Sequence, residues 1–224
     1  MVVNEFLPLS PGDVVVDIGS GDGRALLQMA SHWTCLNSSE NANTHINQSE
    51  SNHDHSGSST NNDDLLLSVS FVGIDINPER VEEARMALQE SQKSGEIHPQ
   101  LSVSFHCANA MEAKHLYEKA TVFFLYLIPR GLKLFKPLLL EVLKQRYLEQ
   151  QSAISKDDDT PKDENQVNKQ GTLLRVLTYM SPLPQEEFVK RRNCSVDHQP
   201  GAAWPVFLYH LTESSLDKEN SNPL

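Results

Sequence analysis

Asp17, Gly19, Gly21 and Gly23 form the densest cluster of chemically suggestive residues in the chain, within "VVVDIGSGDGRALLQ" at positions 14 to 28. An apolar run ends in an acid, a glycine-spaced turn follows, and a helical pattern begins. Glycines at 19 and 21 let the backbone take positive φ and approach a ligand closely. Dinucleotide folds use G-x-G-x-x-G, with the pyrophosphate on the helix N-terminus. Here Arg24 stands where that pattern needs its third glycine. Asp17 would place a carboxylate beside the site, which suits a ligand bearing an ammonium group and suits a pyrophosphate poorly.

Three further groups complete the candidate chemistry. Asp75 closes the run "LLLSVSFVGIDI" at 65–76, a strand-end position from which a carboxylate accepts hydrogen bonds from ribose hydroxyls. That acid normally lies about 20 residues past the glycines. Here it lies 54 past Gly21, and the polar tract between them accounts for the excess. Asn109 and Ala110 follow the alternating Leu101, Val103, Phe105 and Cys107, and Tyr126 to Pro129 ends the apolar run "TVFFLYLI" at 121–128.

The elements that must position these groups alternate. Val14–Ile18 is a short apolar run suited to a strand buried on both faces. Arg24 to about His32 reads as a helix. Asn77 offers an N-cap and Pro78 the first helical position of a helix to about Gln92. Leu101–Cys107, Thr121–Ile128, Thr172–Tyr179 and Val206–Leu211 read as strands. Leu132–Gln150 is helical, with a break expected at Pro137. Strands alternating with helices predict an α/β fold, a Rossmann-like, doubly wound, mainly parallel sheet, with the ligand at the strands' carboxyl ends. Every candidate group falls at such an end.

Composition sets the outer limits. The 224 residues carry a formal charge of −11, of which −9 lies in 37–64, 155–170 and 213–224. The first segment is rich in Asn, Ser and His and the second in acids, compositions that bury too little apolar area to order themselves. They are expected to be disordered inserts, and 213–224 a frayed tail, leaving one domain over 1–212. The body is close to neutral, which argues against nucleic acid as a partner, since a phosphate backbone calls for a clustered positive surface. The one basic run, Lys190, Arg191 and Arg192, reads as a solvated turn or helix end, with a docking patch for an acidic partner as the lesser reading. Cys35, Cys107 and Cys194 are too scattered for a disulfide framework or a thiolate metal site. His53 and His55 lie in the polar tract and suit a linker better than a metal site, and His210 reads as a packed or surface residue. No Ser or Cys sits in a hydrolase elbow. With no apolar stretch long enough to span a bilayer and no targeting pattern, an intracellular, cytoplasmic protein is expected.

The strand, acid, three glycines and helix of "DIGSGDGR" resemble motif I of the class I S-adenosylmethionine-dependent methyltransferases. That resemblance implies S-adenosylmethionine as cofactor, held by Asp17, Gly19, Ser20, Gly21, Gly23, Asp75, Ile76, Asn109 and Ala110. Asn109 departs from the family's frequent Asp at that position and would accept from the adenine amino group through its side-chain carbonyl. With "FFLYLIPRGLKLFKPLLL" and "GTLLRVLTYM", the chain is similar to a narrower group, the small bacterial-type methyltransferases and eukaryotic protein-lysine methyltransferases acting on the ATP synthase c-subunit and the adenine nucleotide translocase. The Asn/Asp-Pro-Pro-Tyr signature of amino- and amide-directed members is absent. The resemblance implies a protein lysine as acceptor, with Tyr126 and Pro129 at the reacting centre. It also brings in a mitochondrial compartment, against which this sequence offers no recognisable targeting segment. A non-catalytic interaction module and a nicotinamide-dependent oxidoreductase are the alternative readings.

Overall fold

The computed structural model describes residues 6–44, 68–154, 173–196 and 199–220. They divide into two compact units, one up to Asn109 and one from Ala110.

In the first unit, β1 (Val14–Ile18) pairs in parallel with β2 (Ser70–Asp75), and β2 with β3 (Ser102–Cys107), in the order β3-β2-β1. The turn before β1 is closed by Asp13, whose Oδ2 accepts from the Ser10 N–H at 2.6 Å. Helix α1 (Arg24–Thr44) follows the glycine turn and α2 (Pro78–Ser94) follows β2. Asn77 caps α2 as its type predicts: its side chain accepts from the Glu79 and Arg80 N–H groups, Pro78 opens the helix, and Gly95 ends it at φ 80°. Val15, Val16, Leu26, Phe71, Ile74, Val81, Ala84 and Phe105 are buried.

The expected insert at 37–64 is corrected at its start, because α1 continues to Thr44. Asn37 is buried and its side-chain amide donates to the Trp33 carbonyl at 2.8 Å, so its polarity is spent on its own helix. Residues 45–64 lie outside the described residues, as does 155–170.

In the second unit, β4 (Val122–Leu125) runs parallel to β5 (Leu174–Tyr179). β5 and β6 (Lys190–Val196) each pair antiparallel with β7 (Gln199–Leu211), in the order β4-β5-β7-β6. Helix α3 (Pro129–Ile154) follows β4 and a short helix, α4 (Glu213–Asn220), follows β7. Here three expectations are corrected. Pro137 does not break α3; it is exposed, while Leu132, Phe135, Leu139, Leu140, Val142 and Leu143 on either side are buried. The N–H hydrogen bond that proline forfeits is therefore lost on the solvent side, where water can serve the freed carbonyl, and the buried stripe keeps the helix continuous. Lys190, Arg191 and Arg192 lie in strand β6, neither a turn nor a helix end. Pairing to β7 outweighs their composition, and basic side chains are common on an edge strand. Within the expected tail, 213–220 is helical: Ser215 is buried, its Oγ accepts from the Thr212 N–H at 3.3 Å, and the Tyr147 hydroxyl donates to Glu213 at 2.6 Å.

Both units pair strands in parallel and follow them with helices, the α/β class that the alternating pattern predicts. Among the described residues no helix is long and apolar enough to cross a membrane.

Candidate functional site

The glycine turn of the first unit is fixed by backbone. The N–H groups of Gly19 and Ser20 both donate to the Ile74 carbonyl, at 2.8 and 3.1 Å, stitching the end of β1 to the end of β2. The Gly21 N–H donates to Asp75 Oδ2 at 2.8 Å, and the Asn77 N–H to Asp75 Oδ1 at 2.8 Å. The glycine turn and the acid that lies 54 positions beyond Gly21 in sequence thus share one end of the parallel strands. Gly19, Gly21 and Gly23 take φ of 79°, 55° and 75°, the left-handed region that glycine enters without a Cβ penalty.

Gly21 and Gly23 serve different ends. A Cβ built on Gly21 would meet nothing within 4 Å, so the turn presents open backbone there. A Cβ on Gly23 would come within 2.6 Å of the Phe105 ring and 2.9 Å of Ala84 Cβ. Gly23 therefore faces the packing of helix on sheet. Gly73 on β2 does the same: its Cβ would lie 2.4 Å from the Phe105 ring and 3.0 Å from Ser20 Oγ. Sequence reasoning missed Gly73, because a glycine within an apolar run carries no spacing signal of its own.

Asp17 is 1% exposed, and its Oδ1 has no hydrogen-bond partner. Burial, reinforced by the neighbouring Asp75 charge, pushes its carboxyl up to about 8. Ser20 Oγ is likewise buried without a partner. Asp22, by contrast, is committed to its neighbour: Arg24 Nε donates to both of its carboxylate oxygens at 3.0 Å, and this holds the Asp22 carboxyl below its usual range. At the end of β2, Ile76 is 71% exposed. The β3 end is tied to β2 by the Ala108 N–H donating to the Asp75 carbonyl at 2.9 Å, and half-buried Asn109 comes directly after it.

Ala110, Tyr126 and Pro129 belong to the second unit. The Ala110 carbonyl accepts from the Tyr117 hydroxyl at 2.9 Å, and the buried Tyr117 ring packs edge-on with Phe123 and Phe135. Tyr126 lies just past β4, 54% exposed, its ring edge-to-face with Tyr179 at 5.0 Å between centroids. Pro129 is exposed at the first position of α3. Tyr179, at the matching end of β5, lies within "GTLLRVLTYM", but nothing in that stretch assigns its ring a role. Beyond β5 the loop is held by side chains. Lys136 on α3 donates to the Pro184 carbonyl at 2.8 Å and lies 3.0 Å from Glu186, whose side chain is 3% exposed. The Tyr209 hydroxyl accepts from the Leu183 N–H at 2.8 Å.

No protein-family model matches the chain, and no curated protein matches it. Solved structures do. An RNA methyltransferase from Salinibacter ruber, in complex with S-adenosyl-L-homocysteine, aligns over 94% of this chain and 88% of its own, at 20% identity and a TM-score of 0.52. TrmN from Thermus thermophilus aligns over 93% of this chain and 47% of its own, at 18% identity and a TM-score of 0.46. Magnesium protoporphyrin IX methyltransferase from Synechocystis PCC 6803, with bound SAM, aligns over 88% and 69%, at 11% identity and a TM-score of 0.43. The Salinibacter ruber likeness is one of fold: this chain has the α/β fold of that methyltransferase.

Proposed function

We propose that the chain is an S-adenosylmethionine-dependent methyltransferase whose cofactor lies on the glycine turn of the first unit. The observation that carries this reading is Asp17. A buried carboxyl with an unpartnered oxygen, protonated in the free protein, ionises most readily against a cationic partner, and the amino-acid end of S-adenosylmethionine brings an ammonium group. The other groups suit the rest of the molecule. Gly19, Ser20 and Gly21 offer close backbone approach, and Gly23 supports them by letting α1 pack tightly. Each Asp75 oxygen accepts one backbone N–H and keeps a lone pair for a ribose hydroxyl. Exposed Ile76 offers an apolar wall for the adenine, Asn109 an acceptor for its amino group, and Ala110 continues that turn.

The cofactor supplies a methyl group on a positive sulfonium, already activated for in-line displacement. What the protein must add is orientation of the nucleophile. For the acceptor we propose a protein lysine, on the strength of the family resemblance across β4, α3 and β5. Removing the ammonium proton at pH 7 costs about 4.6 kcal/mol, which burial against apolar groups reduces. Tyr126 would orient the amine through its hydroxyl, and Pro129 would form part of the wall.

Calorimetric titration with S-adenosylhomocysteine tests the cofactor, with Asp75→Ala and Gly21→Arg alongside. Micromolar binding, weakened about 100-fold or more in both variants, is the expected result. Absence of binding to the parent protein would return the domain to the interaction-module reading, and tighter binding of NAD would favour an oxidoreductase. Incubation of cell extract with a labelled methyl donor tests the acceptor. Label on lysine that survives nuclease treatment supports it; label in RNA would overturn it.

A further inference from the structure

We propose that the exposed face at the start of α3, with the residues leading into it, docks on an anionic lipid surface. The proposal is independent of the cofactor reading and rests on the second unit alone. Ile128 is 72% exposed, Leu134 55% and Tyr126 54%, three large apolar side chains within nine residues. Arg130 and Lys133 are exposed among them. At 100° per residue, Arg130, Lys133, Leu134 and Pro137 share one side of the helix. All four are exposed, whereas Leu132 and Phe135 are buried. The outer face of this helix start is therefore apolar and basic together.

Charge sets the partner. The chain carries −11 overall, yet no Asp or Glu occurs from 119 to 140. Lys136 is engaged by Glu186 and the Pro184 carbonyl, which leaves Arg130 and Lys133 as the two cations on this face. Among the described residues neither forms an ion pair. Both sit in the first turns of a helix, where the macrodipole opposes positive charge, so nothing within the helix accounts for them. An external anion does. A solvated phosphate backbone would satisfy the two cations but would gain little from Ile128 and Leu134. A bilayer surface uses both kinds of side chain: its headgroups pair the cations, and the boundary with the acyl chains takes the aliphatic groups.

Co-sedimentation of the full chain with vesicles of phosphatidylcholine, with and without phosphatidylglycerol, tests this. Sedimentation with the anionic vesicles alone, falling as salt is raised, is expected. Arg130→Gln and Lys133→Gln should each lower the partition roughly fivefold, and Leu134→Glu should abolish it. All three sites are exposed, so melting temperature and S-adenosylhomocysteine titration should match the parent, which separates loss of docking from loss of fold. No sedimentation with anionic vesicles, or sedimentation undiminished in the variants, would overturn the proposal. So would retention of single-stranded RNA through the same residues with vesicles left unbound. A parent protein that binds vesicles but not S-adenosylhomocysteine would sink the proposed function and leave this surface standing.

Discussion

The two units fix their strand-end loops by opposite means. After β1, the turn of the first unit is tied mostly by main-chain groups, Gly19 and Ser20 donating to the Ile74 carbonyl, with one side chain, the Asp75 carboxylate, accepting from the Gly21 N–H. After β5, the loop of the second unit is tied by side chains reaching across from other elements, Lys136 from α3 and Tyr209 from β7. A turn built from backbone and glycine leaves its mark in the sequence, because only certain residues can adopt it. A loop pinned by one lysine and one tyrosine leaves none, since either residue type has many other uses.

The largest effect that would break this comparison is expected at Lys136. Lys136→Ala removes the cation 3.0 Å from Glu186, whose side chain is nearly inaccessible, and should cost about 3 kcal/mol in urea unfolding. Pairing Lys136→Met with Glu186→Leu should recover most of that loss; if it does not, the pair is doing more than neutralising charge. Gly73→Ala comes next. Its Cβ would press on the Phe105 ring at 2.4 Å and should destabilise by about 1 to 3 kcal/mol, read as a lowered melting temperature. Phe105→Leu in the same chain should relieve part of it. A Gly73→Ala protein as stable as its parent would mean that the Phe105 ring has room to move aside and does not need a glycine at 73.

Asp17 sharpens the comparison through pH. Its native carboxyl lies near 8 against 3.8 unfolded, so between those values the native state holds a proton that the unfolded state has lost. Stability from this group is full below about pH 4, falls by up to about 1.4 kcal/mol per pH unit as pH rises, and levels off above about 8. Asp17→Asn should flatten that slope in thermal melts from pH 5 to 8. An equal slope in both proteins would place the titrating group elsewhere. The same proton should be released when a cation pairs with Asp17, so titration with S-adenosylhomocysteine at pH 7 in buffers of different ionisation enthalpy should report release of close to one proton. The smallest effect is expected at Tyr126. If its hydroxyl orients the acceptor, Tyr126→Phe should lower kcat a few-fold with cofactor affinity unchanged, and Tyr126→Ala should also raise the acceptor KM by loss of the ring that packs on Tyr179. Full turnover in both variants would remove Tyr126 from the reaction.

By itself the sequence determined strands β1 to β5 with helices after β1, β2 and β4, the capped start of α2 at Asn77, and the glycine turn with Asp17 before it. These come from local physics: side-chain periodicity, the proline and cap at a helix start, and the few residues able to take positive φ. Tertiary structure alone decided that Asp17 is buried with a free oxygen, that Gly23 and Gly73 both clear room for Phe105, and that Tyr126 turns outward against Tyr179. It also made a strand of Lys190–Val196 and a continuous helix through Pro137. Each of these depends on which side of an element meets a neighbour distant in the chain, and on pairing energies that override the preference of the residues themselves.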